Sequence, residues 1–185
     1  MDAFLESLGW AAREVGLALL FMLGMSVPQQ VATSTVNYED AVPQSGVNYS
    51  VTKVVDGDTI SIDLGGVKRT VRMIGLNTPE TVDPRRPVEC FGKEASSKMK
   101  ELLSGREVRL EFDASQGTYD KYHRLLAYVY RDDGVLINKY MIEEGYGHEY
   151  TYNVPYEFQK TFKQAERDAK FHEKGLWAPG VCEGT

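Results

Sequence analysis

Between Val51 and Leu76 the chain sets out three β-runs so closely spaced that only a meander can hold them. Val51 to Val55 is a short β-rich run, and Thr59 to Leu64 places Ile60, Ile62 and Leu64 on alternate positions, the period of a strand with one face buried. Gly65-Gly66 follows, and two consecutive glycines supply the positive-φ residues of a tight hairpin turn. Val67 to Leu76 continues the sheet, with Val71 and Met73 on one face and Arg72 on the other, because successive strand side chains point to opposite sides.

Downstream the period changes. Ala95, Met99, Leu102 and Leu103 recur at helical spacing and Gly105 stands where a helix-ending glycine belongs, which predicts a helix over 91–103. Val108 to Phe112 and Leu125 to Tyr130 return to strand chemistry. Leu136 to Glu144 reads as a short helix stopped by Gly145, and Pro155 opens a final helix whose stripe is Phe158, Phe162, Ala165 and Ala169, ending near Gly175. Three strands, a helix, two strands and two helices predict an α+β fold, mainly β, with about three helices. That order suits the five-stranded OB-fold barrel, which closes its own edges and leaves a face for oligonucleotides.

The amino-terminal region has a different character. Val15 to Val27 is an uncharged apolar stretch followed by Pro28; it is long enough for a signal-peptide core and shorter than the roughly 20 residues that cross a bilayer. Arg13 is opposed by Asp2, Glu6 and Glu14, so an uncleaved anchor, or a helix lying on a membrane through residues 4–27, stands beside the signal reading. A helix packed on the domain is the plainer alternative. Residues 29–50 are polar and without an apolar period, the pattern of a linker. The expected layout is therefore 1–28 signal or anchor, 29–50 linker, 51–178 a single domain and 179–185 a tail, in a secreted or membrane-anchored protein that has no need to associate.

Net charge is -6, which at first argues against nucleic acid as a partner. Four of those charges fall in the first 45 residues, however, so the body is nearly balanced and has room for a local basic groove. Cys90 and Cys182 lie far apart, with no zinc-like spacing. They are a candidate disulfide if the chain is exported and two ordinary thiols if it is cytosolic.

Three polar clusters carry the candidate chemistry. Asp56-Gly57-Asp58-Thr59 sits between the first two strands, where two carboxylates can converge on a hard cation, although Asp-Gly is also ordinary turn chemistry. Asn77-Thr78-Pro79-Glu80 follows the third strand, which carries Arg72, and Asp120-Lys121-Tyr122-His123-Arg124 enters the fifth. Each cluster alone has a plain reading as a turn or a charged loop.

Their order and spacing together are more specific. Val-Asp-Gly-Asp-Thr at 55–59, Val-Arg-Met-Ile-Gly-Leu-Asn-Thr-Pro-Glu-Thr at 71–81, Phe-Gly-Lys-Glu-Ala-Ser at 91–96, Asp-Lys-Tyr-His-Arg-Leu-Leu-Ala-Tyr at 120–128 and Lys-Gly-Leu-Trp at 174–177 make the region from Val51 to Trp177 similar to the staphylococcal nuclease family. The resemblance implies a calcium-dependent phosphodiesterase acting on DNA and RNA, as single strands or locally opened duplex. It implies Asp58 and the Thr78 backbone carbonyl as Ca2+ ligands, with Asn77 where the family has a second aspartate, and Asp56 as an acid behind them. Arg72 and Arg124 match the phosphate-binding arginines, and Glu80 matches the carboxylate that positions or deprotonates water.

These residue types suit the chemistry. A hard cation polarises a phosphoryl oxygen, and the planar arginine fork can hold two phosphoryl oxygens at once. Tyr122, Tyr150 and Tyr152, with Lys121, are candidate substrate contacts through base stacking and backbone charge, although tyrosines also pack against a fold. His123, His148 and His172 read as surface residues. The alternative function is a catalytically silent OB-fold module that binds nucleic acid or protein; retention of Arg72, Glu80, Arg124 and Asp58 together argues for the enzyme. A third reading, a membrane-surface scaffold, has only the apolar leader behind it.

Overall fold

The structure is a computed structural model, and it describes residues 42–85 and 87–182. The expected leader and the first part of the expected linker lie outside those residues.

Five strands close into a barrel. They are β1 (Asn48–Asp56), β2 (Thr59–Leu64), β3 (Val67–Met73), β5 (Glu107–Glu111) and β6 (Leu125–Arg131), in the order β1-β2-β3-β6-β5, and β5 returns to pair with β1. The neighbours are antiparallel except β3 and β6, which run parallel. Closure leaves no free edge among the five. A separate two-stranded ribbon joins β4 (Leu76–Asn77) to β7 (His148–Glu149). The helices are α1 (Gly92–Leu103), α2 (Ile137–Glu143) and α3 (Gln159–Phe171), and Gly175–Trp177 forms one 3-10 turn. The α+β barrel with three helices is as expected.

The alternation read from β2 is real: Ile60 and Ile62 are fully buried, as are Val71, Val108, Leu110, Leu125, Ala127 and Val129. Phe162 of α3 is fully buried against the rings of Tyr128, Tyr156 and Phe158, and complete burial of such a side chain contributes about 2–3 kcal/mol.

Four local expectations are corrected. The polar segment assigned to a linker through Ser50 is already attached at Gln44 and Gly46, whose N–H groups donate to the Tyr49 hydroxyl at 2.7 Å and to Leu110 O at 3.0 Å; β1 begins at Asn48. The third strand does not run through to Leu76. It ends at Met73, and Gly75 turns the chain at φ 73°, a position where a Cβ would lie 2.6 Å from the Tyr156 ring. Pro155 does not start the last helix, which begins at Gln159. His148 is half-buried, its ring edge-on to Trp177 at 4.9 Å and its Nδ1 3.7 Å from Glu166; burial lowers its pKa, with Glu166 opposing that and Lys170 adding to it.

Cys90 and Cys182, a candidate pair in the sequence, form a disulfide spanning 92 positions. Among the described residues no helix is long and apolar enough to cross a membrane.

Candidate active site

Strand register assembles the site. Thr59 lies opposite Arg72 across β2 and β3, and Met73 N–H donates to Asp58 O at 3.0 Å. The Asp58 side chain is thereby carried to the guanidinium end of Arg72, where its Oδ2 sits 3.1 Å from Nη2. The other Asp58 oxygen accepts from the Thr59 hydroxyl at 2.8 Å, and Oδ2 also accepts Thr78 N–H at 3.0 Å. Gly57 is required here because a Cβ would fall 2.7 Å from Thr78 Oγ1. The two clusters read separately in the sequence are thus in direct contact.

Arg72 is held along its whole fork. Nη1 donates to Leu76 O at 2.6 Å and Met73 O at 3.3 Å, and Nη2 donates to Asn77 Oδ1 at 3.0 Å. Burial draws its pKa down, Asp58 opposes that, and the positive charge of Arg124 pushes the same way as burial. The two arginines are thus near enough for one charge to act on the other, while each also faces a carboxylate, Asp58 and Asp120 respectively.

Arg124 arrives through the parallel pair β3 and β6, in which Val71 faces Leu125. Its Nε and Nη2 hold Asp120 Oδ2 at 2.7 and 2.6 Å, while Asp120 Oδ1 accepts the N–H groups of Tyr122 and Arg124. Burial would raise the Asp120 pKa, but these donors outweigh it and hold the carboxyl below its ordinary value. Asp120 therefore stays ionised and fixes the arginine's aim, a role that sequence reading left unassigned.

Arg72, Asn77, Lys121, Tyr122 and Arg124 line one cleft of about 540 Å³ with Tyr150 and Tyr152. Tyr122, Tyr150 and Tyr152 are 67%, 45% and 62% exposed, so these side chains are not spent on the core, and the Tyr150 and Tyr152 rings stand 6.3 Å apart. Lys121 Nζ and Arg124 lie over the Tyr122 ring at 5.0 and 5.4 Å. The far wall is pinned by Tyr150 N–H donating to Gly75 O at 3.0 Å.

Glu80 is not part of that cleft. Its Oε1 accepts the N–H groups of Val82 at 2.7 Å and Asp83 at 3.2 Å, and the Asp56 carboxyl lies close by. Burial would raise its pKa, but the two N–H donors outweigh that and lower it. Asp56 in turn accepts from the Thr81 hydroxyl at 2.7 Å and from Gly57 N–H at 2.8 Å; burial is the main cause of its raised pKa.

Two side-chain oxygens beside Arg72 are donors of the kind a hard cation takes. Asp58 Oδ2 and Asn77 Oδ1 meet at the same guanidinium nitrogen, and nearby Thr78 Oγ1, which lies against Gly57, is buried without a hydrogen-bond partner. An all-oxygen set of this kind is what Ca2+ takes. Among the described residues no group of three or more His, Cys, Asp or Glu could hold a metal ion, so the set carries a low ligand charge.

Comparison with known proteins agrees with the geometry. The family model described as staphylococcal nuclease homologue matches residues 70–179. A thermonuclease of Staphylococcus hyicus is 40% identical over 130 residues, covering 70% of this chain and 75% of that protein. A thermonuclease of Staphylococcus intermedius is 39% identical over 132 residues, 71% of this chain and 77% of its own. Endonuclease YncB of Bacillus subtilis is 37% identical over 133 residues, covering 71% and 62%. With barrel, arginine pair and sequence match in agreement, the chain belongs to the staphylococcal nuclease family.

Proposed function

We propose that the chain is a calcium-dependent nuclease that hydrolyses phosphodiester bonds of DNA and RNA in the cleft between Arg72 and Arg124. That it is a nuclease hydrolase follows from its family, in which the relatives named above are called thermonuclease and endonuclease. The observation that carries the finer reading is the pair of charge-coupled arginines lining one cleft, with the oxygens of Asp58 and Asn77 gathered beside them.

Asp58, Asn77 and the Thr78 carbonyl would hold Ca2+, which when bound polarises a phosphoryl oxygen and favours the attacking form of water. Arg72 gives up part of its bonding to Asp58 and Asn77 and turns donors toward the phosphate. Arg124, aimed by Asp120, stabilises the charge that builds on the phosphoryl group and leaving oxygen. Glu80 leaves the N–H groups of Val82 and Asp83 to accept the proton of the incoming water or to orient it. Tyr122, Tyr150, Tyr152 and Lys121 hold neighbouring bases and backbone, a mode of contact that tolerates any sequence. The disulfide supports export to an oxidising compartment.

The test is incubation of the purified chain with single-stranded DNA and RNA, first with calcium and then with a chelator. Cleavage that stops on chelation is expected. Binding without cleavage across pH values would instead make the barrel a silent binding module.

A further inference from the structure

We infer that the Cys90–Cys182 disulfide, together with Glu89, is a positioning clamp for Glu80, so that the carboxyl-terminal tail sets the rate of the reaction from outside the cleft. The inference rests on the reading of Glu80 as the residue that handles water.

Glu80 opens an exposed loop whose far foot is Glu89-Cys90. The two feet are bound to each other: Glu80 N–H donates to Glu89 Oε2 at 2.9 Å, and Glu89 N–H donates to Glu80 O at 3.0 Å. Between them Val82, Pro84, Arg85, Pro87 and Val88 are exposed, so little apolar packing defines the loop, and segments of this kind open easily. Beyond the foot, Phe91 takes φ 66°, a left-handed conformation costly for an aromatic residue. Gly92 then lies so close to the start of the loop that a Cβ would be 2.6 Å from Thr81 Cγ2 and 3.0 Å from Pro79 O. The foot is thus strained and closely fitted, and a restraint from outside would bear directly on the start of the loop.

The disulfide supplies it from a firm post. Leu176 N–H donates to Gly145 O at 2.9 Å, and Gly145 and Gly175 meet so closely that a Cβ on either would lie within 2.3 Å of the other segment's backbone. Val181 N–H closes the tail on Ala178 O at 3.1 Å. The tail is thus fixed to the body at the end of α2, and Cys182 passes that fixity to Cys90. Because the barrel is closed by its own strand pairs, cutting the bridge frees the loop foot while leaving the sheet intact. Glu80 then loses the fixed backbone from which its carboxylate swings.

The experiment compares the full-length chain with the double variant Cys90→Ser/Cys182→Ser and with Glu89→Ala, on a short single-stranded oligonucleotide with calcium, at a temperature where circular dichroism shows each to be folded. Loss of the bridge is expected to lower kcat by about tenfold with KM within about twofold, since small misplacements of a reacting group cost rate and not uniform binding. The Glu89 and Gly92 amides should exchange faster with deuterium in the double variant. In a Glu80→Gln background, removing the bridge should change kcat no further. A folded double variant with unchanged kcat overturns the clamp. Should the double variant not fold, Glu89→Ala decides: a fall of about threefold in kcat at constant KM is expected from a partial displacement, and none overturns it. If Glu80→Gln keeps the original kcat in the bridged protein, the reading of Glu80 itself fails and takes the clamp with it.

Discussion

Asn77 is the residue at which charge and geometry pull in different directions. Its amide oxygen is well placed beside Asp58, on the same Arg72 nitrogen, yet it brings no formal charge to a cation. Calcium affinity follows ligand charge. Asn77→Asp is therefore expected to lower the calcium concentration needed for half-maximal cleavage, by about tenfold if the added carboxylate is worth about 1.4 kcal/mol in binding; a calcium titration showing an equal or higher requirement would refute this. Arg124 poses the complementary case. Its fork spans Asp120 and the cleft, and lysine offers a point charge with no fork. Arg124→Lys should lower kcat by about 10²–10³, with KM affected much less, in steady-state cleavage of a short oligonucleotide. That Asp58, Asn77 and Arg124 come close to Arg72 was legible through the family resemblance of three ordered clusters, whereas the place of Glu80 outside the cleft and the actual hydrogen bonds were not. That Glu80 would turn to Val82 and Asp83, or that Asp120 would aim Arg124, depends on loop conformations that no periodicity encodes.

Among the elements, the turn between β3 and β4 shows where sequence reading stops. The Gly65-Gly66 hairpin was legible because two glycines in succession have one local use. Met73 to Leu76 looked like continuing strand because its apolar residues do not reveal that Gly75 must turn away under the Tyr156 ring. The ribbon of β4 and β7 has two residues in each strand, too few for any period. Asn138 was likewise invisible. It is fully buried at the start of α2, accepts Val129 N–H at 2.8 Å, and donates to Ile74 O at 2.8 Å and Ala127 O at 3.3 Å. This side chain stitches α2 to β6 and to the turn that leads into Leu76 and Asn77. Asn138→Ala removes these bonds from Val129 N–H and Ile74 O in the core, while Ala127 O keeps the Ile74 N–H at 3.0 Å, so a loss of about 2–4 kcal/mol in urea unfolding is expected. A loss under 1 kcal/mol would mean that the groups find other partners.

For the molecule as a whole, the question is what joins the barrel to the helical side that carries the cleft's far wall. Asp113, buried just past β5, is one such joint: Oδ2 accepts the Tyr128 hydroxyl and Glu157 N–H, each at 2.8 Å, and Oδ1 accepts from Ser115 N–H and hydroxyl at 2.9 and 2.7 Å. Tyr128 belongs to the barrel, Glu157 leads into α3, and Ser115 borders the cleft. Burial alone would push this carboxyl's pKa up; the bonds from Glu157, Ser115 and Tyr128 outweigh it and hold the pKa below its ordinary value. A depressed native pKa means that the folded protein binds this proton less tightly than the unfolded chain does. The ionised carboxylate's stabilisation is then complete above the unfolded value of about 4 and is lost as pH falls through the native one. Asp113→Asn keeps the shape and cannot titrate. It should cost about 1–3 kcal/mol at pH 7, and the gap from the parent should narrow as pH falls below about 4, measured by denaturant unfolding at a series of pH values. A gap that stays constant down to pH 2 would show that the charge on Asp113 is not what holds barrel and helices together.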